Sequence, residues 1–549
     1  MVKSVQMQLP SKQSSIVDKI ATVFHRQIKD RCGAQVLTSG EGELTIKFEI
    51  DPNIGLEGFK IEDGINREIR IIGNDERGLL YGVGKFLRTS HYEKSGFIPG
   101  TWRGKSIPEK ELRGIYFATH FHNFYHEAPI EEVQHYLEDI ALWGYNTVVV
   151  WFDMHHFNGI NDPDAKEMIK RLRAILIAAK NIGLKTCLGV IGNEAYISSP
   201  VELRADQTFP GTKHIRGGYG VELCPNKPEA KKLMLHWFEE EFKSFSDIEI
   251  DYVWAWPYDQ GGCCCKKCTP WGANGFIIMA EEISKLAHKY WPQFKFILST
   301  WLFDGRAGET PSEGEWEGLK EKFARRPEWV DYILADAHFD FPEYPLKKGV
   351  PGGLPLLNFP EISMWGMFPW GGFGANPLPN RFQRLWNQVS TKLSGGSPYS
   401  EGIYEDINKA IISQFYWDNK KAIDTVREYI SFEYSPEIVD DVFRAIEILE
   451  KNHQCFPVDK PCKILSDVIA EAEKAYEYMK KAEFKLSPFV RNSWRWRILF
   501  LRSFIDRERF RNQGLLADQT KKAFKELIKI YHAENAEFSV KPPIEKRND

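Results

Sequence analysis

From residue 112 to about residue 400 the chain repeats one pattern. A short apolar run rich in β-branched and aromatic residues is followed by a loop, then by a stretch whose apolar positions recur at helical spacing. The runs are Leu112–Ala118, Thr147–Phe152, Thr186–Ile191, Tyr252–Trp256, Phe296–Trp301, Tyr332–Ala335, Leu354–Asn358 and Gly396–Ser400. Helices are predicted between the early ones, over Ile130–Trp143 and Asp164–Ile182. Eight such units in about 300 residues predict an α/β fold of the (β/α)₈ TIM-barrel type. The rival is a doubly wound open sheet, which is disfavoured because no Gly-rich phosphate fingerprint follows the first strand.

The flanks read differently. Leu44–Ile50 and Glu68–Ile72 alternate apolar and polar positions and predict strands. Residues 73–89 then place Leu79, Leu80, Val83, Phe86 and Leu87 on one helical face. Beyond residue 405 strand patterns vanish, and helices are predicted over Asn408–Phe432, Glu437–Asn452, Ile464–Lys481, Phe489–Arg511 and Gln519–His532. The expected layout is a small N-terminal α/β domain (1–108), the barrel (109–405) and a helical C-terminal region (406–549) that could support a homodimer. At 549 residues the chain is long enough for such a division.

Composition narrows the function classes. A net charge of −4 with both signs interspersed gives no electrostatic basis for binding nucleic acid or an anionic membrane. No apolar run approaches the ~20 residues that span a bilayer. The opening MVKSVQMQLPSKQSS contains no apolar segment of the signal-peptide kind, so a cytoplasmic location is expected. The 17 Trp, 21 Tyr and 36 Phe suit either a large aromatic core or stacking on the C–H faces of sugars.

In a TIM barrel the chemistry gathers at the C-terminal ends of the strands. Those ends supply His120 and His122; Asp153, His155 and His156; Asn193 and Glu194; Asp259 and Gln260; Trp301 and Asp304; Asp336 and His338; Asn358, Glu361 and Trp365; and Tyr399, Glu401 and Glu405. Converging carboxylates with aromatics are what glycoside hydrolysis needs. One carboxyl protonates the leaving oxygen, and a second acts as nucleophile or base. Any single carboxylate could instead be a cap or a salt-bridge partner.

Three motifs carry a family resemblance over about residues 40–270. NDERGLLYGVGKFLR (74–88) resembles the domain preceding the barrel in family 20 glycoside hydrolases (β-N-acetylhexosaminidases) and family 67 (α-glucuronidases). RGIYFATHFH (113–122) resembles the first barrel strand of family 20, and VELCPNKPEA (221–230) the segment before its fourth helix. The resemblance implies an exo-acting enzyme that removes one terminal sugar from an oligosaccharide or glycoside: a hexosamine, a uronic acid or a neutral hexose. It implies that Arg113 binds sugar hydroxyls. Family 20 ends its fourth strand in an Asp–Glu pair whose Glu is the general acid. The matching pair here is Asp259–Gln260, and Gln cannot donate that proton. The acid then comes from another strand, the substrate differs, or the chain is a noncatalytic sugar-binding protein on a degenerate scaffold.

Among the remaining carboxylates, Glu401 is the first candidate for the acid and Glu361 the second. Asp259 would orient substrate or serve as the second carboxylate, with Glu194 in reserve. Arg113, His120, Asp153, Asn193, Gln260, Trp301, Asp304, Asn358, Trp365 and Tyr399 are the candidate substrate contacts. A metal-dependent lyase or isomerase is a minor alternative, kept by the histidines at strand ends. No cofactor is required for the hydrolytic reading.

GGCCCKKCTPWG (261–272) follows the Asp259–Gln260 pair directly. Cys263, Cys265 and Cys268 have spacing that could bind a structural zinc, with Cys224 as a fourth ligand. The alternative is reduced thiols or a loop disulfide in a tight Gly-rich turn.

Overall fold

The computed structural model describes residues 1–549 except Lys12, 209–218, 258–260, 305–313, Trp365, 454–457 and 537–549. Six strands form the N-terminal sheet: β1 (Ser4–Gln8), β2 (Gln35–Leu37), β3 (Leu44–Ile50), β4 (Phe59–Asp63), β5 (Glu68–Gly73) and, after the small hairpin β6 (His91–Glu93) and β7 (Gly96–Ile98), β8 (Gly104–Ser106). Their spatial order is β2-β1-β3-β5-β4-β8, parallel through β5 and antiparallel beyond it. Helices Ser15–Cys32 and Glu76–Thr89 accompany this sheet. The second starts where Asp75 accepts the Gly78 N–H, an N-cap that ends the strand signal of β5.

Eight parallel strands then close a barrel: β9 (Leu112–Phe117), β10 (Thr147–Trp151), β11 (Lys185–Ile191), β12 (Tyr252–Trp256), β13 (Lys295–Ser299), β14 (Tyr332–Asp336), β15 (Leu356–Phe359) and β16 (Leu393–Gly396). Neighbours pair in sequence order, and both β10 and β16 pair with β9, which closes the ring. The eighth strand begins three residues before the predicted Gly396–Ser400. The two-residue β17 (Tyr399–Ser400) extends it along β9.

Alternation along the strands divides barrel interior from helical layer. Leu112, Tyr116 and Ala118 of β9, Val149 and Trp151 of β10, Cys187 and Ile191 of β11, Tyr252, Trp254 and Trp256 of β12, Ile297, Tyr332, Leu334, Leu357 and Phe359 form the interior cluster. Ile115, Phe117, Val148 and Val150 belong to the outer core beneath the helices. Both faces of each strand are buried, so the runs read as continuously apolar.

After the barrel come helices Asp406–Asp418, Ala422–Glu433, Val439–Lys451, Ser466–Glu483, Trp494–Arg511 and Asp518–Tyr531. The helix predicted over Asn408–Phe432 is two helices, because Asn419 adopts a left-handed conformation with φ 56° and ends the first. These helices pack back on the barrel. Trp370 donates to Asp506 (2.7 Å), and Arg495 bridges Asp406 (2.8 Å) and Asp139 (3.1 Å). Among the described residues no helix is long and apolar enough to cross a membrane.

Candidate active site

The period-two rule decides which strand-end residues face the barrel axis. Continuing the interior positions upward reaches His120 from β9, Asp153 from β10, Asn193 from β11, Trp301 from β13, Asp336 and His338 from β14, Glu361 from β15 and Glu401 from β17. Beneath them lies a floor of aromatic rings. Tyr116 stacks on Tyr399 at 5.4 Å, Trp254 meets Phe359 edge-on at 4.9 Å, and Trp151 meets Trp256 edge-on at 5.3 Å.

Glu361 and Glu401 meet above this floor. The segments that carry them are tied by a parallel bridge between Glu361 and Tyr399, with the Tyr399 N–H donating to the Pro360 carbonyl at 2.9 Å. The Glu401 carboxyl accepts the Tyr399 hydroxyl at 2.9 Å and the Tyr404 hydroxyl at 3.2 Å. The Ser363 hydroxyl donates to Glu361. Burial pushes the Glu401 carboxyl well above its ordinary value, and repulsion from Glu361 and Glu405 adds to this. Glu405 lies behind, accepting the Glu401 N–H at 3.0 Å and facing Lys409 at 3.5 Å. Burial pushes its carboxyl up to about 7.

Glu194 occupies the other side of the barrel mouth. Its carboxylate accepts the Trp151 indole N–H at 3.1 Å and the Met154 N–H at 2.8 Å, and burial drives its pKa well above normal. These bonds make it a brace for the loop after β10. That loop holds Asp153, fully buried with His156 Nδ1 at 2.5 Å, and His155, which burial pushes down to about 3 and keeps neutral. His155 stacks on Tyr219 at 3.6 Å, and His120 packs edge-on against Trp151 at 4.9 Å. Asn193 braces a loop too: its amide donates to the Leu223 and Gly262 carbonyls and accepts the Gly262 N–H at 2.8 Å.

Beside the carboxylate pair, above β13 and β14, lies an open cleft of about 420 Å³, within the range of ligand clefts. Trp301, Asp336, His338 and the exposed Phe339 line it. Trp301 approaches His338 at 5.6 Å, His338 approaches Phe359 at 5.9 Å, and Phe359 approaches Tyr399 at 6.0 Å. Aromatic faces therefore run from the cleft to Glu401.

Two expected contacts lie elsewhere. Arg113 sits on an outward-facing position at the start of β9, the opposite end of the barrel from the strand termini. Its guanidinium donates to Glu57 (2.5 Å), the Gly144 carbonyl (2.7 Å) and the Lys110 carbonyl (2.8 Å), which uses its fork to tie the barrel to the N-terminal sheet. Asn358 also points outward, accepting the Tyr416 hydroxyl at 2.6 Å in the helical layer. Asp304 does line the cleft beside Trp301, and it also accepts the N–H of Glu315 at 2.8 Å and so caps the first turn of helix Glu315–Lys322. Asp259, Gln260 and Trp365 lie outside the described residues.

Two contributors escaped the sequence reading. Tyr404 stands three residues after Glu401 in a short turn that returns its hydroxyl to the carboxylate. Phe339 lies one residue beyond the His338 position. The spacing of Trp151, Trp254 and Trp256 on inward positions was the sequence signal for the floor.

The cysteine loop forms a compact group. Cys224, Cys263, Cys265 and Cys268 each offer a sulfur within 4.8 Å of the other three.

No family model matches the sequence, and no curated protein matches it. Solved structures do resemble the fold. A family GH115 4-O-methyl-α-glucuronidase with specificity for decorated arabinogalactans aligns with TM-score 0.61 and 11% identity, covering 97% of this chain and 76% of that one. A family 89 glycoside hydrolase from Clostridium perfringens, determined with its substrate GlcNAc-alpha-1,4-galactose, gives TM-score 0.63 and 14% identity over 94% of this chain and 64% of that one. A GH20 β-N-acetylhexosaminidase from Streptomyces coelicolor A3(2) gives TM-score 0.53 and 14% identity over 82% and 92%. At such identities the likeness establishes a shared fold alone: a closed (β/α)₈ barrel, with what precedes and follows it.

Proposed function

We propose that the protein is an exo-acting glycoside hydrolase that removes a terminal hexosamine, uronic acid or neutral hexose from an oligosaccharide or glycoside. The observation that carries this reading is the meeting of Glu361 and Glu401 above an aromatic floor at the C-terminal end of the barrel. Glu401 is the general acid: burial and repulsion from Glu361 favour its protonated form, and it delivers that proton to the glycosidic oxygen as the C–O bond breaks. Glu361 is the second carboxylate, stabilising the developing positive charge on the sugar as nucleophile or base. Tyr399 orients the acid through its hydroxyl, and Trp301 and Phe339 offer ring faces to the substrate. Asp153 and Asp259 are the further polar candidates around the sugar.

The fold shared with glycoside hydrolases of several families supports this reading. A cytoplasmic setting is part of it. Cys224 lies 3.8 Å from Cys265 and 3.9 Å from Cys268, well beyond the ~2.05 Å of a disulfide.

The test is a panel of aryl glycosides of hexosamines, uronic acids and neutral hexoses, with the products separated by chromatography. Release of a single sugar from one class supports the proposal. Sugar binding without release from any class would replace it with a noncatalytic carbohydrate-binding role.

A further inference from the structure

The strongest unassigned feature outside the carboxylate site is the four-sulfur cluster. We propose that Cys224, Cys263, Cys265 and Cys268 bind one zinc ion as a closed tetrathiolate site. The ion pins the loop after the fourth barrel strand to the segment that precedes helix Pro228–Phe245.

Geometry is the first support. Four thiolates at ~2.3 Å from a tetrahedral zinc stand about 3.8 Å from one another. Cys224 Sγ lies 3.8 Å from Cys265 Sγ and 3.9 Å from Cys268 Sγ, and all four sulfurs fall within 4.8 Å of one another. Those separations match an ion-centred tetrahedron and exclude a bonded pair. The sulfurs converge from two places in the chain. Cys224 comes from the stretch after β11, and the other three from one loop after β12.

The surroundings are those of a built ligand shell. Cys224, Cys263 and Cys268 are buried, and only Cys265 is partly exposed. The Asn226 amide donates to Cys268 Sγ at 3.0 Å, an outer hydrogen bond of the kind that orients a metal-bound thiolate. Cys265 and Cys268 flank a tight turn closed by the Cys268 N–H on the Cys265 carbonyl at 2.9 Å. Four thiolates around Zn²⁺ leave a net charge of −2, and Lys266 and Lys267 stand exposed in that turn to offset it. The polypeptide is shaped to bring the loop in. A Cβ on Gly261 would fall 2.6 Å from Ile191 and 2.7 Å from the Pro257 carbonyl, and Gly262 has φ 132°. The Cys264 N–H donates to the Asp206 carbonyl at 2.6 Å, a second tie between the two segments. Because protein sulfurs fill all four positions, no site remains for substrate or water. The ion's role is structural.

The claim is independent of the hydrolase reading and is tested on the full chain without an activity assay. Protein purified without chelators should contain about one zinc per chain, with an X-ray absorption shell of four sulfurs at ~2.3 Å. Mercurial titration of the thiols should release the zinc to a chromogenic chelator, and a strong chelator should lower the thermal midpoint. Cys265→Ser should lose the metal, whereas Cys264→Ser should keep it, since Cys264 is outside the set of four. Asn226→Ala should fold and bind zinc about 10–100-fold more weakly. Zinc-free protein with four freely reactive thiols would overturn the proposal. So would a disulfide among the four, or equal zinc retention in Cys264→Ser and Cys265→Ser.

Discussion

Glu361 and Glu401 repel each other across the tied ends of the seventh and eighth strands, and that repulsion adds to burial in keeping Glu401 protonated. Two carboxyls that cannot both ionise easily divide into an acid and a base. The relationship makes a direct prediction. Glu361→Gln removes the neighbouring charge, so the Glu401 titration, followed by NMR of ¹³C-labelled glutamate, should move to lower pH. An unmoved titration would mean that the two groups are uncoupled.

The same group links pH to stability. A carboxyl with a raised folded pKa binds its proton more tightly in the folded chain than in the unfolded one. Glu401 therefore costs stability as pH rises from its ordinary value of 4.5 toward the folded value. Glu401→Gln removes that cost. The excess in Tm of Glu401→Gln over the wild type should widen from about pH 5 to about pH 8. A constant difference would show that Glu401 titrates alike in both states.

Arg113 should matter for stability and leave chemistry untouched. It and Glu57 are buried, and removing it strips Glu57 of one of its two cations, with Arg77 remaining at 2.8 Å, and forfeits a charge-assisted hydrogen bond worth about 1.5–3 kcal/mol. Although burial opposes it, the charges of Arg113 and Arg77 hold the Glu57 carboxyl below its ordinary value. That contribution is present above the unfolded pKa and is lost as pH falls through the depressed folded one. Arg113→Met should lower the urea midpoint strongly at neutral pH and less in acid, with kcat/KM of the folded fraction unchanged. A steep loss of turnover in a protein of normal stability would return Arg113 to the substrate.

Glu194 acts through the loop it braces. Glu194→Ala leaves the Trp151 and Met154 N–H groups unpaired and should cost about 1–3 kcal/mol per group. Glu194→Gln keeps an acceptor oxygen and should recover most of that stability. If both variants lose turnover equally while Glu194→Gln stays as stable as the wild type, Glu194 is itself a reacting group.

The barrel was readable because its strands are buried on both faces and separated by helices of strong period. The N-terminal sheet was half readable. β3 and β5 alternate clearly, but β2 and β8 are three-residue strands too short to show a period. The family resemblance put Arg113 in the site, and strand-end position put Asn358 there. Counting in twos from Tyr116 and Leu357 turns both outward, so that information lay in the sequence unused. Asp304 could not be sorted in this way, since a capping carboxylate and a substrate ligand look alike until the helix it caps is placed. The Glu361–Glu401 meeting depends on closure of the barrel between distant strands, which no local pattern encodes. The four cysteines, Cys224 included, were named from the sequence, and it is the fold that brings Cys224 to the other three.

The central claim is that Glu401 protonates the leaving oxygen with Glu361 as its partner. The most direct measurement compares the wild type, Glu401→Gln and Glu361→Gln on glycosides of one sugar with leaving groups of graded acidity. General acid catalysis contributes roughly 10²–10⁴-fold, so Glu401→Gln should lose about that factor on an unactivated alkyl glycoside and far less on a nitrophenyl glycoside. Glu361→Gln should be slow on both. Wild-type rates for Glu401→Gln on the unactivated substrate, or an equal loss across all leaving groups, would contradict the assignment.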